Sequence, residues 1–239
     1  MKKMTAILLS AIVTLSLTAC GSNGNDTSTN APVQTKPASG SAESAAQPAN
    51  TEKTGDSNIL VAYFSVMETD GVDTVASASR VAVDGEPEGN NEYIAKLIQQ
   101  ETGGDLFAIQ TVQNYPTTHR PLLEAAHNEQ ADNARPELST QIEHLDNYDV
   151  IFLGYPNWNA DLPMPLYTFL ETYDFSGKTI IPFTVHGGSG FSKTIQTIED
   201  LQPNATVISD GLAISRNDVA SAENEVAAWV DGLNLMANS

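Results

Sequence analysis

Five short apolar runs, each about as long as a β-strand, constrain the fold of this chain more than any other feature. The first, Ile59–Phe64, is apolar at every position, which is typical of a strand covered on both faces of a sheet. Four further runs predict strands at Asp105–Val112, Asp149–Leu153, Thr179–Val185 and Ala205–Ser209. Apolar character that is continuous rather than alternating favours a buried, parallel sheet.

Stretches with helical periodicity separate these runs. Ile94, Leu97 and Ile98 form one apolar stripe within Asn91–Thr102, and Gly103 follows its end. Further helices are predicted at Leu122–Ala134, after Pro163 and Pro165, around Ile195–Leu201 and from Val219 to Leu233. Since strands that alternate with helices form parallel sheets covered on both faces, the pattern predicts an α/β fold with a doubly wound, five-stranded parallel sheet.

The N-terminus has the composition of an export signal. Lys2 and Lys3 precede the apolar stretch Ala6–Leu17, which is as long as a signal-peptide core and too short to span a bilayer. The segment ends in Leu-Thr-Ala-Cys, which resembles the lipobox of bacterial lipoproteins, and Cys20 is the single cysteine of the chain. The resemblance implies cleavage before Cys20 and lipidation of its sulfur. An ordinary signal peptide with a chance cysteine is the alternative.

The composition changes at Asn58. Residues 21–57 are mainly Gly, Ser, Asn, Thr, Ala, Pro and Gln, so they cannot bury enough apolar area to offset their ordering entropy. We therefore predict a signal peptide at 1–19, a disordered tether at 20–57 that starts from the lipidated Cys20, and one domain at 58–239. The predicted location is the extracytoplasmic side of a bacterial cell membrane.

The chain is strongly acidic, with 30 Asp and Glu residues against 11 Lys and Arg and a formal net charge of −19. Such a surface repels nucleic acid and anionic lipid headgroups. We therefore expect no nucleic-acid partner, and membrane contact through the lipid anchor alone. The same charge would steer a basic protein partner, although a need for solubility would also explain it.

Three polar segments lie where a doubly wound sheet binds its ligands, beyond the carboxyl ends of the strands. Ser65 follows the first strand, Gly154–Asp161 follows the third, and His186–Gly190 follows the fourth. Their small, hydroxyl, amide and aromatic residues indicate a binding site, because glycines let a ligand lie against bare backbone. A tight, hydrated loop is the alternative for the third segment.

Several reaction classes lack their motifs. Neither G-x-G-x-x-G nor a Walker lysine loop is present, and the glycines around Ser189 do not form the G-x-S-x-G of a hydrolase. The four histidines, at 119, 127, 144 and 186, have no metal-ligand spacing. We predict no metal site and assign no catalytic residue.

Four segments together resemble the flavodoxin-like proteins. They are Leu60–Ser65, Tyr148–Pro156, Tyr173–Phe183 and His186–Gly190, and their order and spacing match as well. The resemblance covers residues 58–239. It implies strand order 2-1-3-4-5, FMN bound non-covalently, and electron transfer or quinone-type reduction.

The phosphate loop of that family has a hydroxyl residue, two variable residues, and then Gly-Asn-Thr at the start of the first helix. Ser65 matches the hydroxyl, but the pattern continues only at Gly89–Asn91, so the resemblance implies an insertion at 66–88. A helix N-terminus offers N–H groups to a phosphate, and two asparagines add uncharged donors. The alternatives are that the asparagines are simple N-caps, or that acidic residues of the insertion such as Glu68 repel the phosphate.

The loop after the third strand usually reads Tyr-Pro-x-Trp-Trp-Gly in the family, whereas here Asn159 and Ala160 follow a single tryptophan. The resemblance implies that Trp158 covers a flat ring system, a contact of about 1–3 kcal/mol by analogy with base stacking. A rim aromatic without a ligand is the alternative. Asn157 and Asn159 would bond the flavin edge or simply shape a turn.

The loop after the fourth strand would bind the pyrimidine end of the isoalloxazine. The resemblance implies that N–H groups at Gly187 and Gly188 approach it, and that His186 and Ser189 bond its carbonyls or N5. A protonated His186 would favour the reduced, anionic flavin, and surrounding carboxylates would oppose it. A partly exposed histidine at a helix entry is the alternative. The predicted FMN contacts are Ser65, Gly89, Asn90, Asn91, Tyr155, Pro156, Asn157, Trp158, Asn159, His186, Gly187, Gly188, Ser189 and Gly190.

Taken together, these residues predict an FMN-binding electron-transfer protein or oxidoreductase that a lipid tethers to the outer face of a bacterial membrane. A shuttle would pass electrons to a redox partner protein, and an NAD(P)H:quinone-type enzyme would reduce a small quinone-like acceptor. The sequence leaves this choice open. The alternative is a lipoprotein that kept the fold, lost the flavin and serves as a binding or structural module.

Overall fold

The computed structural model describes residues 58–69 and 79–235. The predicted signal peptide at 1–19, Cys20, the tether at 20–57 and residues 70–78 of the predicted insertion lie outside this part of the chain. Within it, no helix combines the length and the apolar character that crossing a membrane requires.

The described residues form strands and helices in alternation, as predicted. The strands are β1 (Ile59–Tyr63), β2 (Arg80–Val83), β3 (Glu86–Gly89), β4 (Asp105–Ala108), β5 (Val150–Pro156), β6 (Thr179–His186), β7 (Thr206–Val207) and β8 (Leu212–Ser215). The helices are α1 (Asn90–Thr102), α2 (His119–Ala131), α3 (Met164–Thr172), α4 (Thr194–Leu201) and α5 (Glu223–Gly232), with short 3-10 turns at Leu145–Asn147 and Val219–Ser221.

Six of the strands form one parallel sheet. Its order is β4-β1-β5-β6, with β7 and β8 both beside β6. β7 pairs with the start of β6 and β8 pairs with its end, so the two short strands together fill a single fifth position. Numbered along the chain, the positions have the order 2-1-3-4-5, which confirms the predicted doubly wound sheet.

The fifth strand differs from the predicted Ala205–Ser209, because β7 contains two residues and the strand resumes at Leu212. Pro182 of β6 explains the interruption. The carbonyls of Ile180 and His186 accept hydrogen bonds from the chain at the fifth position. Pro182, which lies an even number of residues from both, therefore faces the fifth position as well, but it has no N–H to donate.

Several other elements differ from their predicted bounds. β5 runs to Pro156 instead of Leu153, and α5 begins at Glu223 instead of Val219, which lies in a 3-10 turn. β4 ends at Ala108 instead of Val112, because the chain then leaves β1: the N–H of Gln110 bonds to the Thr140 hydroxyl, and its carbonyl accepts from Ser139. α2 begins at His119, three residues before the predicted start at Leu122.

The core has one layer on each face of the sheet. α1 and α5 cover one face, where Ile94, Ile98 and Val226 are almost completely buried. α3 and α4 cover the other face with Phe169 and Ile198, both fully buried. Burial on both faces accounts for the continuous apolar runs, and it leaves the carboxyl ends of β1, β5, β6 and β8 together at one edge.

The predicted insertion contains a β-hairpin. β2 and β3 pair antiparallel, and the two residues between them, Asp84 (φ 52°) and Gly85 (φ 87°), both have the positive φ of a type I′ turn. β3 leads directly into α1. The N–H of Asn90 donates to the carbonyl of Ser79 at 2.9 Å, so the hairpin closes at the start of the helix.

Candidate functional site

A cavity of about 410 Å³ lies at the carboxyl ends of the parallel strands. This volume is within the range of about 300–1,000 Å³ that is typical of small-molecule sites. All three segments that the sequence selected contribute to it. The cavity is lined by Ser65, Val66, Glu68, Ser79, Asn90, Asn91, Leu122, Leu123, Ala126, Pro156, Asn157, Trp158, Asn159, Ala160, Val185, His186, Gly187, Ser189 and Arg216.

Ser65 and the start of α1 meet despite the insertion between them. Gly89, the N-cap of α1, lies so close to Ser65 that a Cβ at position 89 would clash with the serine hydroxyl. Glycine has no side chain to cap the helix, so in the first turn the N–H of Asn90 donates to the Ser79 carbonyl and the following N–H groups have no side-chain cap from Gly89. The hairpin thus brings two distant parts of the chain together at the cavity.

Asn91 ties this helix start to β6. Its Oδ1 accepts a hydrogen bond of 3.2 Å from the N–H of Val185, and the residue is almost completely buried. Val185 is followed by His186 and Gly187, so the first turn of α1 lies beside the loop after β6. The asparagine oxygen is used within the fold, which leaves the amide nitrogen as the group that would donate to a ligand.

The loop after β5 is a tight turn. The N–H and carbonyl of Trp158 bond to the carbonyl and N–H of Asp161 at 3.1 and 3.0 Å. The two residues between them, Asn159 (φ 52°) and Ala160 (φ 62°), both have a positive φ. For an alanine this conformation is strained by about 1–2 kcal/mol.

The side chain of Asp161 stabilises that turn through hydrogen bonds. The carboxylate is 4% exposed; its Oδ1 accepts from the Leu162 N–H at 2.9 Å, and its Oδ2 accepts from the Tyr167 hydroxyl at 3.0 Å. The ammonium of Lys193 lies 2.9 Å from Oδ2. Burial, with the neighbouring carboxylate as a second cause, raises the pKa of Tyr167 to about 12, so its hydroxyl stays protonated and donating at neutral pH.

Trp158 stands in a cluster of three aromatic rings. Its centroid lies 5.5 Å from that of Phe64 and 5.5 Å from that of Tyr115, and both pairs meet edge to face. The hydroxyl of Tyr115 donates to Glu129 at 2.6 Å, and burial followed by this bond raises the pKa of the tyrosine. The indole therefore has a fixed orientation at the cavity wall.

Asn157 connects the loops after β5 and β6. Its Nδ2 donates to the carbonyl of Gly190 at 2.6 Å and to the Ser192 hydroxyl at 3.1 Å. Within the part of the chain that the structure describes, its buried Oδ1 has no hydrogen-bond partner. A ligand that donates a hydrogen bond here would satisfy that oxygen.

The loop after β6 holds its histidine in the neutral form. The Nδ1 of His186 accepts a hydrogen bond of 2.9 Å from the N–H of Gly188, whose φ is 133°. Burial lowers the pKa of His186, and a backbone hydrogen bond with Ala213 only partly opposes this shift. A protonated His186 beside the ligand, as the sequence analysis considered, does not fit this geometry, because Nδ1 is an acceptor.

One carboxylate also reaches the cavity. Glu68 is 2% exposed, and its Oε1 lies 2.9 Å from Nδ1 of His119 at the start of α2. Its backbone N–H donates to the Ser79 hydroxyl at 2.8 Å. The carboxylate that the sequence analysis named as a hindrance to a phosphate thus lines the cavity, and it does so as a paired group.

Ten of the fourteen predicted contacts line the cavity, and four do not. Three of the four are glycines of the loops that carry lining residues, namely Gly89, Gly188 and Gly190. Tyr155 is fully buried beneath it, and its hydroxyl donates to Thr194 at 2.9 Å. The side chain of Tyr155 is therefore part of the core, which corrects its predicted role.

The sequence missed nine lining residues: Val66, Glu68, Ser79, Leu122, Leu123, Ala126, Ala160, Val185 and Arg216. Arg216 follows β8, which the prediction had replaced with a strand at 205–209. The alternation of Leu212 and Ile214 with smaller residues was the signal that pointed to it. In the described residues, no group of three or more His, Cys, Asp or Glu side chains is placed to hold a metal ion.

A second cavity, of about 970 Å³, adjoins the first and shares Ser65 and Val66 with it. None of the described residues that line it is charged; they include Phe64, Tyr115 and the exposed Val112. The aromatic cluster around Trp158 lies between the two cavities.

Two solved structures with TM-scores above 0.5 agree with this architecture, and a third has a lower score. A proposed flavoprotein from Bacteroides eggerthii DSM 20697 is 26% identical with a TM-score of 0.54, over 74% of this chain and 98% of that one. A second from Bacteroides uniformis ATCC 8492 is 26% identical with a TM-score of 0.55, over 72% and 97%. A flavoprotein in complex with FMN from Lactobacillus acidophilus NCFM is 18% identical with a TM-score of 0.46, over 71% and 97%.

At the level of sequence, no curated protein matches the chain significantly. The profile of the Flavodoxin family matches residues 81–233. This match begins in the hairpin and continues through β8 and α5, so it includes every strand and helix of the described residues except β1 and the first residue of β2. The chain belongs to the flavodoxin family.

Proposed function

We propose that the chain binds FMN in the main cavity and works as an electron-transfer flavoprotein. The observation that carries this proposal is that the helix start at Asn90, the indole of Trp158 and the loop at His186 line one cavity. These parts come from three different strand ends. Their convergence is what a ligand with a phosphate at one end and a flat ring at the other requires.

The residues present fit FMN chemically. The first turn of α1 and the amide of Asn91 are uncharged donors for a phosphate. Gly187 lines the cavity without a side chain, Trp158 offers an indole for stacking, and the buried Oδ1 of Asn157 matches a donor such as the ring N–H of a flavin. When bound, FMN supplies one- and two-electron redox chemistry, and the chain's residues bind it, orient it and tune its charge.

One observation favours the alternative of a flavodoxin-fold module without flavin. Glu68 brings a carboxylate into the cavity, where it would repel a phosphate. Its bond to His119 and its burial hold it in place. We expect this carboxylate to weaken FMN binding without preventing it. A Glu68→Gln variant, which keeps the shape of the side chain and removes its charge, should therefore bind FMN more tightly than the wild type.

The second cavity offers room for a further ligand near the main cavity, with which it shares Ser65 and Val66. Room for a second ligand beside the flavin is what an enzyme of the NAD(P)H:quinone type needs. The absence of charged side chains among its described lining residues favours an uncharged, aromatic acceptor. In such a reaction NAD(P)H would give up a hydride and solvent a proton, so that the quinone becomes a hydroquinone; bound FMN would supply the redox chemistry between the two, and the residues of the main cavity would hold it. Steady-state oxidation of NADPH that depends on an added quinone would separate this enzyme from a shuttle.

We also propose that Cys20 carries a lipid that tethers the domain to the outer face of a bacterial membrane. The sequence from Leu17 to Cys20 supports this. Expression in bacteria grown with labelled palmitate should label the wild type and not Cys20→Ser. A wild-type protein that appears in the soluble fraction without label would contradict the tether.

The experiment for the cofactor is a titration of the purified protein with FMN. Binding would quench flavin fluorescence, with saturation at one FMN per chain. Unchanged FMN fluorescence at micromolar protein would overturn the proposal and leave the module without flavin as the remaining function.

A further inference from the structure

Arg216 is the one side chain with a full positive charge among the described residues that line the main cavity. It follows β8 directly, and its backbone N–H donates to the carbonyl of His186 at 2.9 Å. Its guanidinium lies over Gly187: a Cβ added at that glycine would be 3.0 Å from Nη1. The absence of a side chain at position 187 is what allows the guanidinium to come so close to the loop.

The start of α1 contacts the same segment at Val185, inside β6. The N–H of Val185 donates to Asn91 Oδ1 at 3.2 Å, and Gly187 stands two residues further along. At about 3.3 Å per residue, these two contact points lie about 7 Å apart along the chain. The guanidinium and the first turn of α1 therefore lie beside neighbouring residues of one segment, and both line the main cavity. The resemblance implied the pyrimidine end of the flavin at Gly187; the positive charge above that glycine favours the phosphate there instead.

We infer that Arg216 binds the phosphate of FMN together with the first turn of α1, an inference that rests on the proposed function. The charge balance of the chain gives a physical reason for such a residue. A phosphate entering this cavity meets a chain with a formal charge of −19 and the carboxylate of Glu68. A planar guanidinium can pair two of its N–H groups with two phosphate oxygens, which a neutral hydroxyl or amide cannot match.

The test compares FMN with riboflavin, which has the same ring system and no phosphate. Dissociation constants for both would be measured by fluorescence quenching with the wild type, Arg216→Gln and Arg216→Lys. Arg135→Gln is the matched control, because it removes the same charge from an arginine that pairs with Glu171 at 2.7 Å and does not line the cavity. Circular dichroism would confirm that each variant is folded.

The expected result is that Arg216→Gln weakens FMN binding about 10- to 100-fold, as for the loss of a charge-assisted hydrogen bond, and leaves riboflavin binding unchanged. Arg216→Lys should retain part of the preference for FMN, and Arg135→Gln all of it. Equal losses for FMN and riboflavin would place the guanidinium at the ring and overturn the inference. Unchanged FMN binding in Arg216→Gln would overturn it as well.

A measurement on the wild type covers the case in which the variants do not fold. If a cation contacts the phosphate, the preference for FMN over riboflavin falls as KCl is raised, because salt screens the attraction. If only the negative charges of the chain act on the phosphate, salt screens a repulsion, the preference for FMN rises with KCl, and the inference fails. A wild type that binds neither flavin would refute the proposed function itself, and the role of Arg216 with it.

Discussion

Replacing Asp161 by alanine should destabilise the protein strongly, because this carboxylate anchors the turn that carries Trp158. The Leu162 N–H and the Tyr167 hydroxyl both donate to it, at 2.9 and 3.0 Å. Leu162 is 2% exposed, so water cannot readily replace the lost acceptor. The substitution leaves both donors in place without a partner.

The size of the effect follows from these contacts. The buried N–H of Leu162 costs about 1–3 kcal/mol when it loses its acceptor, and the half-buried hydroxyl of Tyr167 costs less, so the two together lower the free energy of unfolding by about 2–4 kcal/mol. The ion pair with Lys193 adds little, because that lysine side chain is 64% exposed and such pairs contribute about 0–1 kcal/mol. For a domain of this size the melting temperature should fall by roughly 5–15 °C.

Urea denaturation followed by tryptophan fluorescence would measure the change. Lys193→Gln is the control, since it removes the exposed partner of Asp161 and leaves the Leu162 N–H and the Tyr167 hydroxyl bonded to the carboxylate. The reasoning is refuted if Asp161→Ala costs less than about 1 kcal/mol, or no more than Lys193→Gln, because the buried donors would then be satisfied in another way.

Three further predictions concern the residues around the cavity. Trp158→Ala should weaken FMN and riboflavin equally, by about 1–3 kcal/mol of lost stacking, in a fluorescence titration; a loss confined to FMN would contradict the stacking role. Ala160→Gly should raise the free energy of unfolding in urea by up to about 1 kcal/mol, because glycine adopts the positive φ of this turn without strain; a destabilised variant would argue against that conformation. Because burial lowers the pKa of His186, the unfolded chain binds its proton more readily, so the stability that the neutral imidazole contributes is complete above pH 6.5 and is lost as the pH falls below that value. His186→Gln should show a smaller loss of unfolding free energy than the wild type below pH 6.5, and identical losses in the two proteins would refute this assignment.

The sequence predicted most of the fold because burial on both faces of the sheet leaves a direct record in it. Ile59–Phe64 and Thr179–Val185 are apolar without interruption, and the structure places them in the two strands on either side of β5. The fifth strand was harder to predict. In the sequence, Pro182 looks like one more apolar residue of β6. Its effect is on the neighbouring strand, which cannot receive a hydrogen bond from it and which lies more than twenty residues away in sequence.

The candidate site was predictable where its residues lie at the carboxyl ends of strands. Ser65 and Trp158 lie two residues beyond β1 and β5, His186 is the last residue of β6, and all three line the cavity. Glu68 and Arg216 depend on how distant segments pack. Glu68 is directed by its bond to His119, and Arg216 by the register of β8 against β6. Neither pairing has a local signature, so the two charged side chains of the cavity could be placed only from the structure.

The split of the outer strand at Pro182 also affects how the molecules meet one another. A sheet edge with a continuous row of N–H and carbonyl groups is a template on which a second sheet can grow. Here that border consists of the two-residue β7, a gap and the four-residue β8. This edge has no long, straight row of backbone groups with which a strand of a neighbouring molecule could pair. The irregular strand therefore disfavours edge-to-edge aggregation.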